Sequence, residues 1–357
     1  MSDLRVMIVD DSAMYRRLLT IAMEKVESAK VVGTAPTGSL ALQKLDSLAP
    51  NVVLLDIEMP EMNGIQVLES IKAKNKQIAV ILISGTNSRS ADIVMEGLSK
   101  GAVDFIPKPE GSDAEKNALN LSRQLAGVMQ VIQTQTYARQ ARGDTAPSLP
   151  SVPRVQPAPY KPPSIKPVKI EIVVIGISTG GPRALEQMIP TLPATLRVPV
   201  VIVQHMPPIF TASLAKQLDK NSRIHVVESA DGMVLTKGTV YIAPGGVHTM
   251  VVRQGEDFVI KLNDGPPVNS CKPAVDVLFR SVADVFNGRI LSVVMTGMGQ
   301  DGLYGAEVIK EKGGYCITQS EDTCVVYGMP QAVDKANLSD EKVPLEILGQ
   351  RIAALIN

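Results

Sequence analysis

The sequence predicts two consecutive α/β domains, each a doubly wound sheet, and three observations carry that prediction. At 357 residues the chain exceeds what one hydrophobic core usually organises. Short runs rich in Val, Ile and Leu alternate with stretches of helical apolar spacing from Leu4 to Tyr137, and the alternation resumes at Lys169. Between Gln140 and Val168 lie eight prolines and few large apolar residues, a composition that cannot pack a core and favours a moderately stiff polyproline II linker. The expected division is 1–138, 139–168 and 169–357.

In the first half, strands are expected at Arg5–Val9, Lys30–Ala35, Asn51–Leu55, Ala79–Ile83 and Val103–Ile106, each followed by a helix, the last over about Asp113–Tyr137. Five such units make one sheet, in which an order 2-1-3-4-5 sets strands one and three side by side at the topological switch point. In the second half, Glu171–Ile175, Pro199–Gln204, Gly238–Ala243 and Ile290–Thr296 read as strands, with helices such as Pro182–Met188 and Leu303–Lys312. Val226–Val234 and Val251–Leu262 read as antiparallel additions to this larger, mostly parallel domain.

Composition narrows the function classes. Lys plus Arg and Asp plus Glu are equal at 36 each, so the charge balance draws the chain neither to nucleic acid nor to an anionic membrane. Cys271, Cys316 and Cys324 are odd in number and lack CxxC spacing, as expected of reduced thiols in the cytoplasm. Asp3, Asp10 and Asp11 interrupt the apolar stretch a signal peptide needs, and no later run has the length to span a bilayer.

Asp10 and Asp11 end the first expected strand, Asp56 the third and Ser84 the fourth, while Lys108 follows the fifth. One Asp after a strand is an ordinary helix cap; five such residues at five corresponding places converge on one sheet edge. Three carboxylates sharing a pocket repel unless a cation joins them, and hard oxygen ligands favour Mg2+. Asp56 can then accept a phosphoryl group as an acyl phosphate whose oxygens Lys108 and Ser84 hold. Through MIVDDSAMYR, LLDIEMPEMNG, LISG and DFIPKP, residues 3 to 125 resemble the receiver domain of response regulators. The resemblance implies a flavodoxin-like fold, phosphorylation of Asp56 by a histidine kinase, Mg2+ held with Asp10 and Asp11, and Phe105 as the aromatic whose rotamer reports phosphorylation.

Gly176-Ile177-Ser178-Thr179-Gly180-Gly181 follows an apolar strand and precedes Pro182, a good first helical residue. The run satisfies G-x-S-x-G, which exposes a serine on a sharp turn, and amides such as that of Thr179 at the helix start can stabilise an oxyanion. A phosphate cradle has the same look. Of the three histidines, His225 lies in an alternating, surface-like run, His205 ends a strand beside that of Ser178, and His248 in PGGVHTM stays open as a competing base. Asp301 follows an apolar strand through a glycine-rich turn, which completes a Ser178, His205, Asp301 triad in a chain order unlike that of α/β-hydrolases.

Six blocks in order, GISTGGP, VIVQHMPPIFTASLA, YIAPGGVH, KPAVDVLF, TGMGQDG and TCVVYGMPQA, resemble the catalytic domain of chemotaxis protein-glutamate methylesterases from about Lys169 onward. The resemblance implies this triad, the Met298 N–H as an oxyanion donor, and hydrolysis of glutamate γ-methyl esters on the cytoplasmic part of methyl-accepting chemoreceptors. Deamidation of receptor glutamines would use the same acyl-enzyme, with no cofactor for either step. One departure is Cys271, where family members often carry histidine. The unit order leads to the expectation that the unphosphorylated receiver obstructs Ser178. Two rivals are a nucleotide-binding regulator, against which the lack of a lysine after the glycines and of GxGxxG spacing counts, and a non-catalytic receptor adaptor.

Overall fold

The structure, a computed structural model, describes residues 3–75, 77–109, 113–141 and 169–356. The chain divides into two compact units, Met1–Ala158 and Pro159–Asn357.

The first unit alternates β1 (Leu4–Val9), α1 (Ala13–Glu24), β2 (Ala29–Ala35), α2 (Gly38–Leu48), β3 (Val52–Asp56), α3 (Gly64–Lys74), β4 (Ala79–Ser84), α4 (Ser88–Ser99), β5 (Asp104–Pro107) and α5 (Ala114–Ala141). All five strands are parallel in the order β2-β1-β3-β4-β5. Helices cover both faces, so β3 and β4 are buried at every residue and read as continuous apolar runs. Ser12, Thr37, Asn63 and Asn87 start helices α1 to α4, each side chain accepting from a backbone N–H of the first turn. These caps fix where each strand hands over to its helix, which is the edge that carries the acidic cluster. Helix α5 takes in 139–141, three residues expected in the linker; the rest of that stretch, 142–168, lies outside the described residues.

The second unit contains β6 (Ile172–Ile177), α6 (Gly181–Met188), β7 (Val200–Gln204), α7 (Phe210–Asn221), β8 (His225–Glu228) and β9 (Thr239–Ile242). There follow β10 (His248–Gln254), β11 (Asp257–Asn263), α8 (Val275–Phe286), β12 (Ile290–Val294), α9 (Leu303–Glu311), β13 (Tyr315–Gln319), α10 (Met329–Lys335), β14 (Glu341–Val343) and α11 (Leu345–Ile356). Seven strands form a parallel sheet ordered β14-β13-β12-β6-β7-β9-β8, and β10 with β11 forms an antiparallel hairpin. The winding direction reverses between β6 and β12, which places the switch point at the carboxyl ends of neighbouring β12, β6 and β7. The hairpin docks on α8, where Phe258 stacks against Phe286 with ring centroids 4.1 Å apart.

One strand expectation needs correction. Val226–Val234 is not an antiparallel piece: its first residues pair parallel with β9 at the sheet edge, and only Val234 bridges antiparallel to Val259. Strands β13 and β14 escaped the sequence reading, because β13 (Tyr-Cys-Ile-Thr-Gln) holds one aliphatic residue among polar ones and β14 (Glu-Lys-Val) has only three residues. Among the described residues no helix is long and apolar enough to cross a membrane.

Candidate functional site

In the first unit, β1 and β3 end side by side and bring Asp10, Asp11 and Asp56 together, one carboxylate oxygen of each lying within 4.8 Å of the others. Asp10 and Asp56 are buried and Asp11 is exposed. Lys108 Nζ reaches Asp56 Oδ2 at 2.8 Å and Asp10 Oδ2 at 3.0 Å, and sits 4.5 Å from the Tyr15 ring centroid. Burial, reinforced by the charge of Asp10, pushes the Asp56 carboxyl up to about 6 against the pull of Lys108 and the Glu58 N–H. The buried Asp10 Oδ2 accepts no well-directed hydrogen bond. Hard carboxylate oxygens gathered this closely suit a small divalent cation. Ser84 is buried at the end of β4, its Oγ donating to Gly85 O at 2.9 Å, and Phe105 is buried on β5.

In the second unit, β6, β7 and the loop after β12 deliver Ser178, His205 and Asp301 to the same edge. His205 Nε2 lies 2.8 Å from Asp301 Oδ2. Asp301 Oδ2 also accepts from Val275 N at 2.6 Å, while its Oδ1 accepts from Asn269 Nδ2 at 2.8 Å and from the N–H groups of Asp276 and Gly302, each at 3.1 Å. A carboxylate surrounded by donors can only be an acceptor, so Nε2 carries a proton and Nδ1 is the basic nitrogen of the neutral ring. Burial alone would raise Asp301, but His205 and these donors outweigh it and hold the carboxyl below its usual range. Burial likewise works against the imidazolium, yet Asp301 and the Cys271 sulfur prevail and push His205 up to about 9.

Ser178 is half-buried at the β6–α6 turn, and its Oγ forms no hydrogen bond with His205 here. The turn is held close to the base in other ways. His205 N donates to Ile177 O at 3.0 Å, and buried Gln204 Nε2 donates to Ser178 O at 3.0 Å and to His205 O at 3.2 Å. Gly180, at φ 75°, takes the left-handed conformation that starts α6. From the other side Ser178 N donates to Thr296 O at 2.9 Å, and a Cβ on Gly297 would come 2.8 Å from Ser178 Cβ, so only glycine lets this loop lie against the serine. Thr296 Oγ1 ties the loop to Thr179 O at 3.0 Å. Neither the Thr179 nor the Met298 N–H donates to another group among the described residues, which leaves both amides beside Ser178 available to an oxyanion.

His248 has both ring nitrogens engaged by backbone: it is buried, its Nδ1 accepts from Ala274 N at 3.2 Å, and its Nε2 lies 3.0 Å from Pro266 O. His225 is a surface residue paired with Asp219.

The sequence reading missed Asn269, Asp276, Gln204 and Thr296. Asn269 and Ser270, at φ 53° and 62°, form a two-residue turn closed by reciprocal bonds between Val268 and Cys271. That turn aims Asn269 at both Asp301 and Asp276, each at 2.8 Å, and sets Cys271 Sγ 3.6 Å from His205 Nδ1. An Asn-Ser pair before Cys271 was the one sequence signal for it.

A phosphoacceptor-type acidic pocket on one α/β unit, followed by an α/β unit with a serine beside a His–Asp pair, defines a response regulator with a hydrolase-type effector. Comparisons with known proteins narrow the class. Residues 6–120 match the model of the response regulator receiver domain and residues 173–352 that of the CheB methylesterase family. The chain is 41% identical over 353 residues to a protein-glutamate methylesterase/protein-glutamine glutaminase of Trichodesmium erythraeum, covering 99% of each. It is 42% identical over 357 residues to the protein of the same name from Desulfotalea psychrophila, covering 99% of this chain and 98% of that one. The CheB methylesterase catalytic domain of Thermotoga maritima, a crystal structure, aligns at 41% identity and a TM-score of 0.51 over 53% of this chain and all of that domain. The chain belongs to the CheB methylesterase family.

Proposed function

We propose that this chain hydrolyses glutamate γ-methyl esters on the cytoplasmic part of chemoreceptors, deamidates receptor glutamines at the same site, and is controlled by phosphorylation of Asp56. The observation that supports it most is the His205–Asp301 pair, 2.8 Å apart, at the carboxyl end of the strand beside the one that Ser178 terminates. Ser178 Oγ attacks the γ-carbonyl while His205 Nδ1 takes its proton; Asp301 holds the ring with Nε2 protonated and stabilises the imidazolium. The Thr179 and Met298 amides receive the negative charge that develops on the carbonyl oxygen. The proton on Nδ1 passes to the departing methanol, or to ammonia from an amide, leaving a γ-glutamyl ester on Ser178. Water, deprotonated by the same Nδ1, then frees the carboxylate. Methanol release from methylated receptor membranes tests this reading; wild type without any release would refute it.

Because neutral His205 is the active base, kcat/KM rises with pH through the His205 titration and levels off above about 9. The Cys271 sulfur favours the protonated ring, so Cys271→Ala moves that limb to lower pH. Profiles measured in a chelating buffer check the direction, and a limb that stays put contradicts it.

In the receiver, Asp10, Asp11 and Asp56 would hold Mg2+, with Lys108 and Ser84 receiving the phosphoryl oxygens. When bound, the ion neutralises the incoming phosphoryl group. The donor would be a chemotaxis histidine kinase, and Phe105 on β5 would report the phosphorylated state. With kinase and receptor as partners the protein would act in the cytoplasm, its receiver unit ahead of its esterase unit. Asp56→Asn is expected to abolish the rise in methylesterase rate that a small phosphodonor produces in wild type. A variant still stimulated would exclude Asp56 as the acceptor.

A further inference from the structure

Among the described residues two groups of side chains are close enough to share a metal ion: the receiver carboxylates, and His205, Cys271 and Asp301, whose ligand atoms all lie within 4.8 Å of one another. The second group differs in chemistry. An imidazole nitrogen and a sulfur are donors for zinc rather than for magnesium, while the carboxylate meets the other ring nitrogen. Zn–N and Zn–S bonds of about 2.0 and 2.3 Å at a tetrahedral angle separate nitrogen from sulfur by about 3.5 Å. Cys271 Sγ and His205 Nδ1 are 3.6 Å apart. The far nitrogen, Nε2, is already held by Asp301, the carboxylate–histidine arrangement that orients a zinc-binding imidazole and strengthens it as a ligand. The Val268–Cys271 turn presets the sulfur's position, so the two donors need little reorganisation.

We propose that this catalytic centre binds one Zn2+ through Cys271 Sγ and His205 Nδ1, with Asp301 backing the ring and water completing the shell, and that Zn2+ thereby reversibly inhibits the enzyme. The thiol proton passes to solvent on binding. Inhibition follows because Nδ1 is the atom that must accept the Ser178 proton, a consequence that rests on the proposed esterase mechanism. Binding itself does not.

The test uses the full-length chain, reduced and metal-free, in saturating Mg2+ so that the receiver carboxylates are occupied. Co2+ titration of wild type should produce a thiolate-to-metal charge-transfer band that Zn2+ abolishes. Competition with a chromogenic chelator should show one tightly held Zn2+ per chain. Cys271→Ser should lose the band and weaken Zn2+ binding at least about tenfold. Ser178→Ala, without esterase activity, should keep both, which separates failure of this inference from failure of the functional reading. Zn2+ should suppress methanol release by wild type, and EDTA should restore it. Absence of the band in wild type, which needs no variant to fold, would overturn the site. So would a band or a Zn2+ affinity that Cys271→Ser leaves unchanged. Equal suppression of wild type and Cys271→Ser by Zn2+ would overturn the inhibitory role.

Discussion

Ser178→Ala is expected to lower methanol release from methylated receptor membranes by a factor on the order of 10^4–10^6 while leaving the protein folded. The residual rate would come from binding and from amides that remain in place. The substitution removes one oxygen that makes no hydrogen bond among the described residues, so it breaks no network there. Ser178 N still donates to Thr296 O, and Gln204 still holds Ser178 O. A melting temperature unchanged beside a lost rate is therefore the signature. A folded Ser178→Ala protein with the wild-type rate would remove this serine from the chemistry.

Asp301→Asn is expected to cost on the order of 10^4 in kcat through the tautomer of His205 rather than through lost contact. Oδ1 accepts from three N–H groups, so the asparagine oxygen is drawn to that side and its NH2 group faces His205. Nε2 must then become the acceptor and Nδ1 carries the proton, the wrong form to receive one from Ser178. The new amide also meets Val275 N, donor against donor, which costs about 1–3 kcal/mol of stability. Thermal melting and kcat measured on one sample separate the two effects. An Asp301→Asn protein with full kcat would mean that the carboxylate does not set the tautomer.

Both expectations rest on partners that only coordinates supply, and the same division runs through the molecule. The winding of the first unit was readable because β1, β3 and β4 are almost continuous Val/Ile/Leu runs, and helices α1 to α4 each begin with a capping Ser, Thr or Asn. The candidate triad was readable because the three residues end or follow apolar strands, and parallel winding sends all such ends to one edge. Strands β13 and β14 were lost because Tyr-Cys-Ile-Thr-Gln and Glu-Lys-Val offer no run of aliphatic residues, although the fold buries every residue of the first. Val226–Val234 misled because alternation reports which faces are buried and is silent on strand direction.

By itself the sequence determined two α/β units, an acidic pocket at Asp10, Asp11 and Asp56, and a serine, a histidine and an aspartate converging on one sheet edge. It left His205 and His248 in competition, because a histidine's letter says nothing of what its two nitrogens touch. Only the tertiary structure separates the two, by giving His248 two backbone partners and His205 a carboxylate, the contacts on which the proposed role of His205 rests. It also decided the setting of Cys271, 66 residues along the chain from His205, which a tight turn carries to the basic nitrogen. Hydrogen bonds and donor distances depend on how separate segments fold against each other, and no local pattern of residues encodes them.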